Sequence, residues 1–540
     1  MTEAPKTAAA KLSEISNGEM KEIAVGKTNV LLARVDDRCY AVAANCTHYG
    51  APLAEGALNG DRIVCPWHHA CFNARTGDME EPPALDSLQN YKVEIVGDDI
   101  FVDVPDEAPD RRLPTMVEPA IEKDRRVFII LGGGAAGYAA AQTLREDGFQ
   151  GRIVMITRED RSPYDRPNLS KDYLQGAAQP EWMPLRDDEF FTENGIEVLR
   201  NKEVGKVNAV ERSIAFNDGE NMEYDSLLLA TGGIPRKLDL PNSGLKNIFL
   251  LRSFDNADSI IASAEGAKKA VVIGASFIGM ETAASLAKRG VDVTVIAPDK
   301  VPFEKVLGLD IGNLFRQVHE KNGVKFRLGE HVNGFEGGEA VRSVILGSGE
   351  SISADLVIVG VGVRPATAFL DGIELHDDGG VVADKHLQVI DGVYAAGDIV
   401  HYPDARTGEM LRIEHWRTAL QQGRAAAHNM AGKSTVFSGV PFFWTTQFDA
   451  TLNYVGHTAG WDEIIYQGEL SEQEFLAFYV KDHRVLAAAG MNRDRELAYI
   501  EELIRLNRMP TPRRLRETPI DLSLPFADGA RSRMESARVF

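Results

Sequence analysis

RVFIILGGGAAGYAAAQTLREDG, residues 126–148, is a run of apolar residues followed by glycines and then by an alanine-rich stretch. The apolar, β-branched run favours a strand, and the alanine-rich stretch favours a helix. Gly132, Gly134 and Gly137 form the pattern G-x-G-x-x-G between them. In that spacing the first glycine permits a sharp turn, the second lets backbone amides approach a pyrophosphate, and the third lets helix and strand pack closely. The stretch therefore predicts a strand, a turn and a helix that bind a dinucleotide.

The same pattern returns at residues 270–290, AVVIGASFIGMETAASLAKRG. Gly274, Ser276 and Gly279 take the three positions, and serine is small enough for close approach at the middle one. Each copy is followed by another apolar strand, GRIVMIT or VDVTVIA. Strands that alternate with helices are typical of a parallel α/β sheet. We therefore expect two dinucleotide-binding α/β domains.

Two short loops near the N-terminus each pair a cysteine with a histidine, NCTHYGAPL at residues 45–53 and CPWHHACFN at residues 65–73. Four such ligands could surround one tetrahedral zinc ion. They could also hold a [2Fe-2S] centre in which two thiolates bind one iron and two imidazoles bind the other. Zinc fingers usually pair cysteine with cysteine and histidine with histidine, so the alternation here favours the iron–sulfur centre. The candidate ligands are Cys46, His48, Cys65 and His68.

The composition is that of an ordinary globular protein, with 44% hydrophobic and 26% charged residues in a chain of 540. The formal net charge of −21 disfavours nucleic acids and anionic bilayers as partners. No stretch is long and apolar enough for a membrane span, and the first residues lack the apolar core of a secretion signal. A cytoplasmic location is therefore expected. No cysteine follows Cys71, which excludes disulfide reduction by a cysteine pair in the α/β part.

Changes in composition along the chain predict the domain boundaries. The N-terminal part has short strand-like runs between turns, a proline-rich charged segment follows it, and strand-like runs return near the C-terminus. The predicted units are an antiparallel β domain at residues 11–105, a linker at 106–125, one α/β domain at 126–250 and 371–438, a second α/β domain at 251–370, a C-terminal domain at 439–520 and a tail at 521–540.

The Cys/His loops closely resemble those of the Rieske ferredoxin family. The resemblance implies that Cys46, His48, Cys65 and His68 bind a [2Fe-2S] cluster. His69 is then expected to be a structural neighbour rather than a ligand. Cys71 is expected to be a small core residue.

Four later segments resemble the ferredoxin-reductase and apoptosis-inducing-factor branch of the flavoprotein reductases. They are SPYDRPNLSKDYL at 162–174, YDSLLLATGG at 224–233, GVYAAGDIV at 392–400 and RIEHWRTALQQG at 412–423. The resemblance implies tandem FAD and NAD(P) domains of Rossmann type with a glutathione-reductase-like α/β fold. These would stand between an antiparallel β Rieske domain and an α+β C-terminal domain.

The same resemblance implies the site residues. Lys171 and Glu281 would orient flavin and nicotinamide, and Trp416 would pack on the isoalloxazine. Those implied for FAD are Gly132, Gly134, Gly137, Glu159, Arg166, Lys171, Thr231, Gly232, Asp398, Glu414, His415 and Trp416. Those implied for the nicotinamide nucleotide are Gly274, Ser276, Gly279, Glu281 and Gly362. NADH is favoured over NADPH, although Ala297 stands where the family has a ribose-binding acid.

The whole order of segments resembles the Rieske-containing apoptosis-inducing-factor-like flavoproteins. It implies an NAD(P)H-dependent reductase that passes electrons through FAD to its own cluster and on to an external one-electron acceptor. The alternative is a binding protein that responds to NADH with little turnover. The sequence names neither the acceptor nor the oligomeric state, monomer or homodimer.

Overall fold

The structure is a computed structural model that describes residues 8–517 and 521–523. The predicted tail at 521–540 therefore lies mostly outside the described residues, as do residues 1–7 and 518–520. None of the helices described is both long and apolar enough to cross a bilayer.

The N-terminal part consists of two antiparallel sheets, as the short alternating runs predict. The six-stranded sheet has the order Ala10–Lys11, Asp99–Asp103, Asn90–Val96, Arg38–Ala43, Thr28–Val35 and Met20–Val25. The four-stranded sheet has the order Ala57–Asn59, Arg62–Val64, Cys71–Asn73 and Met79–Glu81. The two Cys/His loops connect or precede strands of the smaller sheet, so this sheet carries both of them.

Two larger sheets form the α/β part, and each contains one of the glycine-rich turns. The first has the order Ile196–Leu199, Arg152–Ile156, Val127–Leu131, Ser226–Leu229, Val393–Ala395 and Gln388–Ile390, parallel except for the last pair. The second is parallel throughout, with the order Ile248–Phe249, Leu356–Val359, Lys269–Ile273, Asp292–Ala297 and Lys325–Leu328. Both glycine turns follow a central strand, where a parallel sheet places its ligand crevice.

Four small sheets flank these two. Their strands are Asn221–Glu223, Ser213–Phe216, Val204–Asn208 and Leu370–Asp371; Gly233–Pro235 and Val363–Pro365; Val332–Gly337, Val341–Leu346 and Ser351–Ser353; Val381–Val382, Val400–Pro403 and Met410–Leu411. The C-terminal part is an antiparallel sheet with the order Phe442–Gln447, Ala450–Gly456, Arg484–Met491, Glu474–Lys481 and Glu463–Glu469.

The α-helices lie mainly in the α/β part and at the C-terminus. Those in the described residues are Ala135–Glu146, Asp172–Gln175, Asp188–Glu193, Phe254–Ala264, Phe277–Lys288, Glu304–Lys321, Trp416–Met430, Asp494–Arg505 and Pro512–Glu517. Ala135–Glu146 and Trp416–Met430 pack closely, because a Cβ added at Gly423 would lie 2.1 Å from the Ala136 carbonyl oxygen. Both helices begin at the same cavity, described below.

The N-terminal and C-terminal parts share an apolar core. Val64 and Cys71 of the small N-terminal sheet pack in one cluster with Phe442, Leu497 and Ile500 of the C-terminal part. Burying such side chains stabilises the contact by roughly 1.5–3 kcal/mol each. The N-terminal domain is therefore held against the rest of the chain by its own core residues, on the side that carries the cluster loops.

Candidate functional site

One cavity of about 580 Å³ runs between the two glycine-rich turns. It is lined by Gly132, Gly134, Glu159, Arg166, Lys171, Thr231, Gly232, Ser276, Glu281, Gly362, Asp398, Glu414, His415 and Trp416, all of them predicted site residues. The predicted glycines that do not line it are Gly137, Gly274 and Gly279. The structure thus brings most of the predicted FAD and nicotinamide residues to one place.

The glycines of the first turn divide into two kinds. A Cβ at Gly137 would lie 1.9 Å from the Gly132 carbonyl oxygen, so this position serves the contact between helix and strand. Gly132 has φ 126°, a left-handed backbone that favours glycine. A Cβ at Gly134 would meet no protein atom within 4 Å, and Gly134 caps the N-terminus of Ala135–Glu146 beside the cavity. The open space at a helix N-terminus fits a pyrophosphate.

The second turn repeats the packing role. A Cβ at Gly279 would lie 2.3 Å from the Gly274 carbonyl oxygen, and one at Gly274 would lie 2.4 Å from that of Gly360. Ser276 caps the helix Phe277–Lys288 by accepting from the Gly279 amide. Its side chain also lines the cavity, beside Phe277 and Ile278.

Lys171 and Glu281 form an ion pair at the centre of the cavity wall. The Lys171 ammonium lies 2.9 Å from a Glu281 carboxylate oxygen. Glu281 is buried and also accepts from the hydroxyls of Ser170 at 2.5 Å and Thr445 at 2.7 Å. Three donors from two parts of the chain therefore fix this carboxylate. The pairing predicted from sequence is present, and Thr445 of the C-terminal sheet is an additional partner.

The predicted ribose acid Glu159 lines the cavity and is held by two donors. Arg166 donates to one carboxylate oxygen at 2.8 Å and Tyr164 to the other at 2.7 Å. Burial alone would raise the pKa of Glu159, but the Arg166 guanidinium and the Tyr164 hydroxyl hold it below its ordinary value. Asp398 pairs similarly with Arg252, 3.2 Å away. The oxygens of both side chains can accept hydrogen bonds from hydroxyl donors.

Glu414, His415 and Trp416 form one corner of the cavity. Trp416 is the first residue of its helix, and His415 packs against Phe443 with ring centroids 4.7 Å apart. Burial lowers the pKa of His415 to about 3, so the ring is neutral at physiological pH. Burial raises the pKa of Glu414, although Arg412 donates to it at 2.6 Å.

The two Cys/His loops have matching backbones. The Cys46 amide donates to the Ala51 carbonyl at 2.8 Å, and the Cys65 amide donates to the Ala70 carbonyl at 2.9 Å. Four residues after each cysteine the backbone is left-handed, at Gly50 with φ 79° and at His69 with φ 56°. The loops therefore face each other as two similar turns, each presenting one thiol and one imidazole.

The donor set suits a two-iron cluster better than one zinc ion. The thiols of Cys46 and Cys65 are close enough to interact, and the Nδ1 atoms of His48 and His68 lie 3.2 Å apart. Two metal–nitrogen bonds of about 2.1 Å place tetrahedral nitrogen ligands about 3.4 Å apart, so one ion can bind both imidazoles. A single zinc ion, however, would need all four ligand atoms close together. In the described residues, no three of the four atoms lie within 4.8 Å of one another. The thiol pair and the imidazole pair are thus separate, as two irons require.

Trp444 connects the imidazole pair to the cavity, and sequence reasoning did not select it. Its side chain lines the cavity together with Phe443 and Trp416. Its ring centroid lies 4.4 Å from that of His68 and 6.5 Å from that of His48. Trp444 is thus in contact with both the predicted flavin site and both histidines.

A buried charged network joins three parts of the chain beside the second loop. His69 Nδ1 lies 2.5 Å from Glu501 on helix Asp494–Arg505, and its ring stacks on Phe442 with centroids 4.2 Å apart. Arg417, on helix Trp416–Met430, donates to Glu501 at 2.8 Å and to Glu81 at 3.0 Å. Burial alone would raise the pKa of Glu501, but Arg417 and His69 hold it at about 2. His69 is therefore a structural residue, as predicted.

Cys71 belongs to the same region. It is buried in the shared core, and Arg62 also donates to its sulfur at 2.9 Å. Arg62 pairs in turn with Glu502, at 2.9 Å, and Glu81, at 2.6 Å. The signal that sequence reasoning overlooked is a pair of adjacent acids, Glu501 and Glu502, between the apolar residues Ile500 and Leu503 of an amphipathic helix.

Three family models match the chain. Residues 126–423 match the pyridine nucleotide-disulphide oxidoreductases. Residues 6–92 match the Rieske [2Fe-2S] domain. Residues 442–524 match the reductase C-terminal domain.

Similar proteins agree with these matches. Apoptosis-inducing factor 3 of Homo sapiens is 38% identical over 510 residues, 92% of this chain and 84% of that protein. The ferredoxin reductase for the CYP199A2 system from Rhodopseudomonas palustris is 31% identical, with a TM-score of 0.71 over 74% of this chain and 100% of its own. The reductase in the covalent putidaredoxin reductase–putidaredoxin complex is 32% identical, with a TM-score of 0.70 over 74% of this chain and 97% of its own.

Proposed function

Because the chain belongs to the pyridine nucleotide-disulphide oxidoreductase family and carries a Rieske [2Fe-2S] domain, we propose that it passes electrons from NADH through FAD to its own cluster. An external one-electron acceptor then receives them. The protein is an FAD-dependent NAD(P)H oxidoreductase with an iron–sulfur domain, and its cofactors are FAD, NADH and the Rieske cluster. The transfer within the chain and the final acceptor are the proposed steps.

The cavity residues take the following roles in this proposal. Gly134 and the helix N-terminus behind it bind the FAD pyrophosphate, Glu159 accepts from the adenosine ribose, and Asp398 accepts from the ribityl chain. Bound FAD supplies the conversion of a two-electron hydride donor into single electrons. The same proposal includes the domain boundaries predicted from the sequence, with a linker at 106–125. It also includes a glutathione-reductase-like arrangement of the two α/β domains.

Lys171 and Glu281 position the reacting rings. The glutamate is fixed by Ser170, Thr445 and Lys171, so its carboxylate cannot turn away when nucleotide enters. It presents a fixed negative charge beside the nicotinamide, whose ring becomes positively charged on oxidation. Ser276 and Gly362 line the same cavity and would contact the nicotinamide nucleotide. Trp416, also in the lining, would pack on the flavin.

Trp444 is the observation that carries the proposal. It lines the cavity and contacts both predicted cluster imidazoles, so a single aromatic side chain would lie between the flavin site and the cluster site. The solved putidaredoxin reductase–putidaredoxin complex is a covalent complex of the two named proteins. Here the iron–sulfur domain is part of the chain and packs on the C-terminal domain. That packing supports transfer in cis.

Anaerobic stopped-flow mixing with NADH tests the proposal. In the wild type we expect the flavin absorbance to bleach first and the cluster signal, followed by rapid-freeze EPR, to appear within one turnover. Trp444→Leu should slow the cluster phase roughly tenfold or more while flavin bleaching is retained, because it removes the contact that positions the two centres. Trp444→Phe, which keeps an aromatic ring, should fall between the two.

Two results would contradict the proposal. A cluster that stays oxidised while NADH is consumed would show that the flavin delivers electrons elsewhere. A persistent complex of flavin and nicotinamide with almost no turnover would instead favour the NADH-responsive binding protein. If the cluster is reduced at the same rate in the wild type and in Trp444→Leu, the electrons reach the cluster without help from Trp444.

A further inference from the structure

The cluster imidazoles are contacted by a second aromatic residue besides Trp444. The Tyr49 ring stacks on His48 with centroids 3.9 Å apart and planes at 16°, and it meets His68 edge-on at 5.5 Å. Tyr49 packs most closely on His48, whereas Trp444 packs most closely on His68. Each imidazole thus has its own aromatic neighbour. Trp444 belongs to the cavity wall, but Tyr49 is 45% exposed to solvent.

The side of the cluster domain that faces the reductase is closed. His69 is fully buried, stacks on Phe442 and pairs with Glu501, while Arg417 is fully buried between Glu81 and Glu501. Separating the domains would leave these charges without partners in a partly apolar surface, which is costly. An external acceptor therefore has to reach the cluster while the domain stays docked. Tyr49 lies at the edge of this contact, because its hydroxyl donates to Asp165 and accepts from Asn168 of the reductase part while its ring stays exposed.

Exposed aromatic residues adjoin both ligand histidines in the sequence. Among the phenylalanine, tyrosine and tryptophan side chains in the described part of the chain, the exposed ones are Tyr49, Trp67 and Trp182. Tyr49 follows His48 and Trp67 precedes His68, so each adjoins a ligand. Trp182 is connected to Tyr49 through its neighbour Met183. The Met183 carbonyl accepts from the Asp165 amide, and the Asp165 carboxylate accepts from the Tyr49 hydroxyl. Exposed tryptophan and tyrosine are the residues most enriched at the centres of protein interfaces.

We propose that Tyr49 and Trp67 form the docking surface for the external acceptor, a small electron-carrier protein with a basic rim, and that Tyr49 is the contact through which electrons leave. This inference rests on the proposed function. It balances as NADH + 2 A(ox) → NAD⁺ + H⁺ + 2 A(red), where A is the one-electron centre of the carrier. Two carriers dock in succession for each NADH oxidised.

The acidic residues around Tyr49 indicate that the carrier has a basic rim. Asp165 accepts from its hydroxyl, and Asp172, which is exposed, lies close enough to act on it electrostatically. Lys171 lies between these acids in sequence, but its ammonium is paired with Glu281. The formal net charge of the chain is −21. A carrier with lysines or arginines around its redox centre would therefore be attracted to this surface, and salt would weaken the encounter.

Cytochrome c, a basic one-electron carrier, is the probe for this surface. We expect Trp67→Ala to raise the Kd of the oxidised holoenzyme for cytochrome c about tenfold, measured by calorimetry at low ionic strength, and to lower kcat/KM for its reduction similarly. Tyr49→Leu should lower the reduction rate further, and Tyr49→Phe should restore most of it because the ring is kept. Leu309→Ala, which removes another exposed apolar side chain, 51% accessible, is the matched control and should change neither value.

The outcomes separate this inference from the proposed function. If NADH reduces the cluster in the wild type and Trp67→Ala behaves like Leu309→Ala, the docking surface is wrong and the proposed function stands. If the wild type does not bind cytochrome c at low salt, the basic carrier is wrong. If the cluster is never reduced by NADH, the proposed function fails, and with it the exit through Tyr49.

Discussion

At the scale of single residues, the first glycine turn assigns different tasks to neighbouring positions. Gly137 has no room for a Cβ because the Gly132 carbonyl oxygen would lie 1.9 Å away, whereas a Cβ at Gly134 would enter open space beside the helix N-terminus. One glycine thus serves the protein's own packing and the other serves a ligand. Substituting alanine at Gly134 and, separately, at Gly137 distinguishes these two tasks.

Gly134→Ala should weaken FAD binding while leaving the fold of the apoprotein intact, since its Cβ meets the pyrophosphate and no protein atom. Gly137→Ala should instead destabilise the fold by about 2 kcal/mol or more, because helix and strand must move apart. Fluorescence titration of the apoprotein with FAD and urea unfolding measure the two effects. Equal loss of stability in both variants would show that Gly134 is also a packing residue.

The sequence predicts a functional residue when the residue's type and its spacing from neighbouring ligands indicate the chemistry without knowledge of the fold. Cys46, His48, Cys65 and His68 were found because few side chains bind iron and their loops are short. Trp444 and Glu501 were not found, because their importance depends on contacts with residues far away in sequence. His69 and Glu501 are separated by 432 positions, and no local pattern reports such a contact.

At the scale of elements, helix Asp494–Arg505 places acids on its buried face. Leu497, Ile500 and Leu503 give the expected apolar stripe, yet Glu501 and Glu502 are equally buried. Such acids are stable only when paired, and they pair with Arg417, Arg62 and His69 from other elements. Strand and helix alternation predicted the α/β sheets, but the helix pattern could not predict which domain would supply the partners of its acids.

Glu501→Ala should weaken the docking of the N-terminal domain by about 3 kcal/mol, because Arg417 and His69 lose a buried partner. Faster protease cleavage in the segment 106–125 would report the opening. Arg513→Ala is the control, since it breaks an ion pair on the surface, with Glu517, and should not change the cleavage rate. A cleavage rate for Glu501→Ala equal to that of the control would show that the apolar core alone holds the domain.

At the scale of the whole molecule, the N-terminal domain is connected to the rest of the chain twice, by the linker and by a buried interface. Arg111 and Arg186 both pair with Asp86 where the linker leaves this domain, and the Val117 amide donates to the Arg145 carbonyl at 3.1 Å on the α/β side. The linker is thus itself fixed at both ends. Its composition predicts a linker but could not predict these anchoring contacts, because they depend on residues far away in sequence.

A protease site engineered into residues 106–125 tests which connection matters. After cleavage we expect the N-terminal fragment to co-elute with the reductase in size-exclusion chromatography. The rate of cluster reduction by NADH should remain independent of protein concentration, because the interface and not the linker keeps the two centres together. Separation of the fragments, or a rate that falls in proportion to dilution, would show that the linker supplies the docking.

The left-handed turn at His69 in the second cluster loop affects whether the N-terminal domain, as a module, could be fused to another reductase. The first loop has Gly50 at that turn and the second has His69, which tolerates the conformation less readily and whose ring is matched to Phe442 and Glu501 of this particular reductase. An excised module would present that ring to water with its conformational strain uncompensated. Transplanting the module onto a foreign flavoprotein would therefore require glycine at position 69, or a host helix that brings its own acid to meet the histidine.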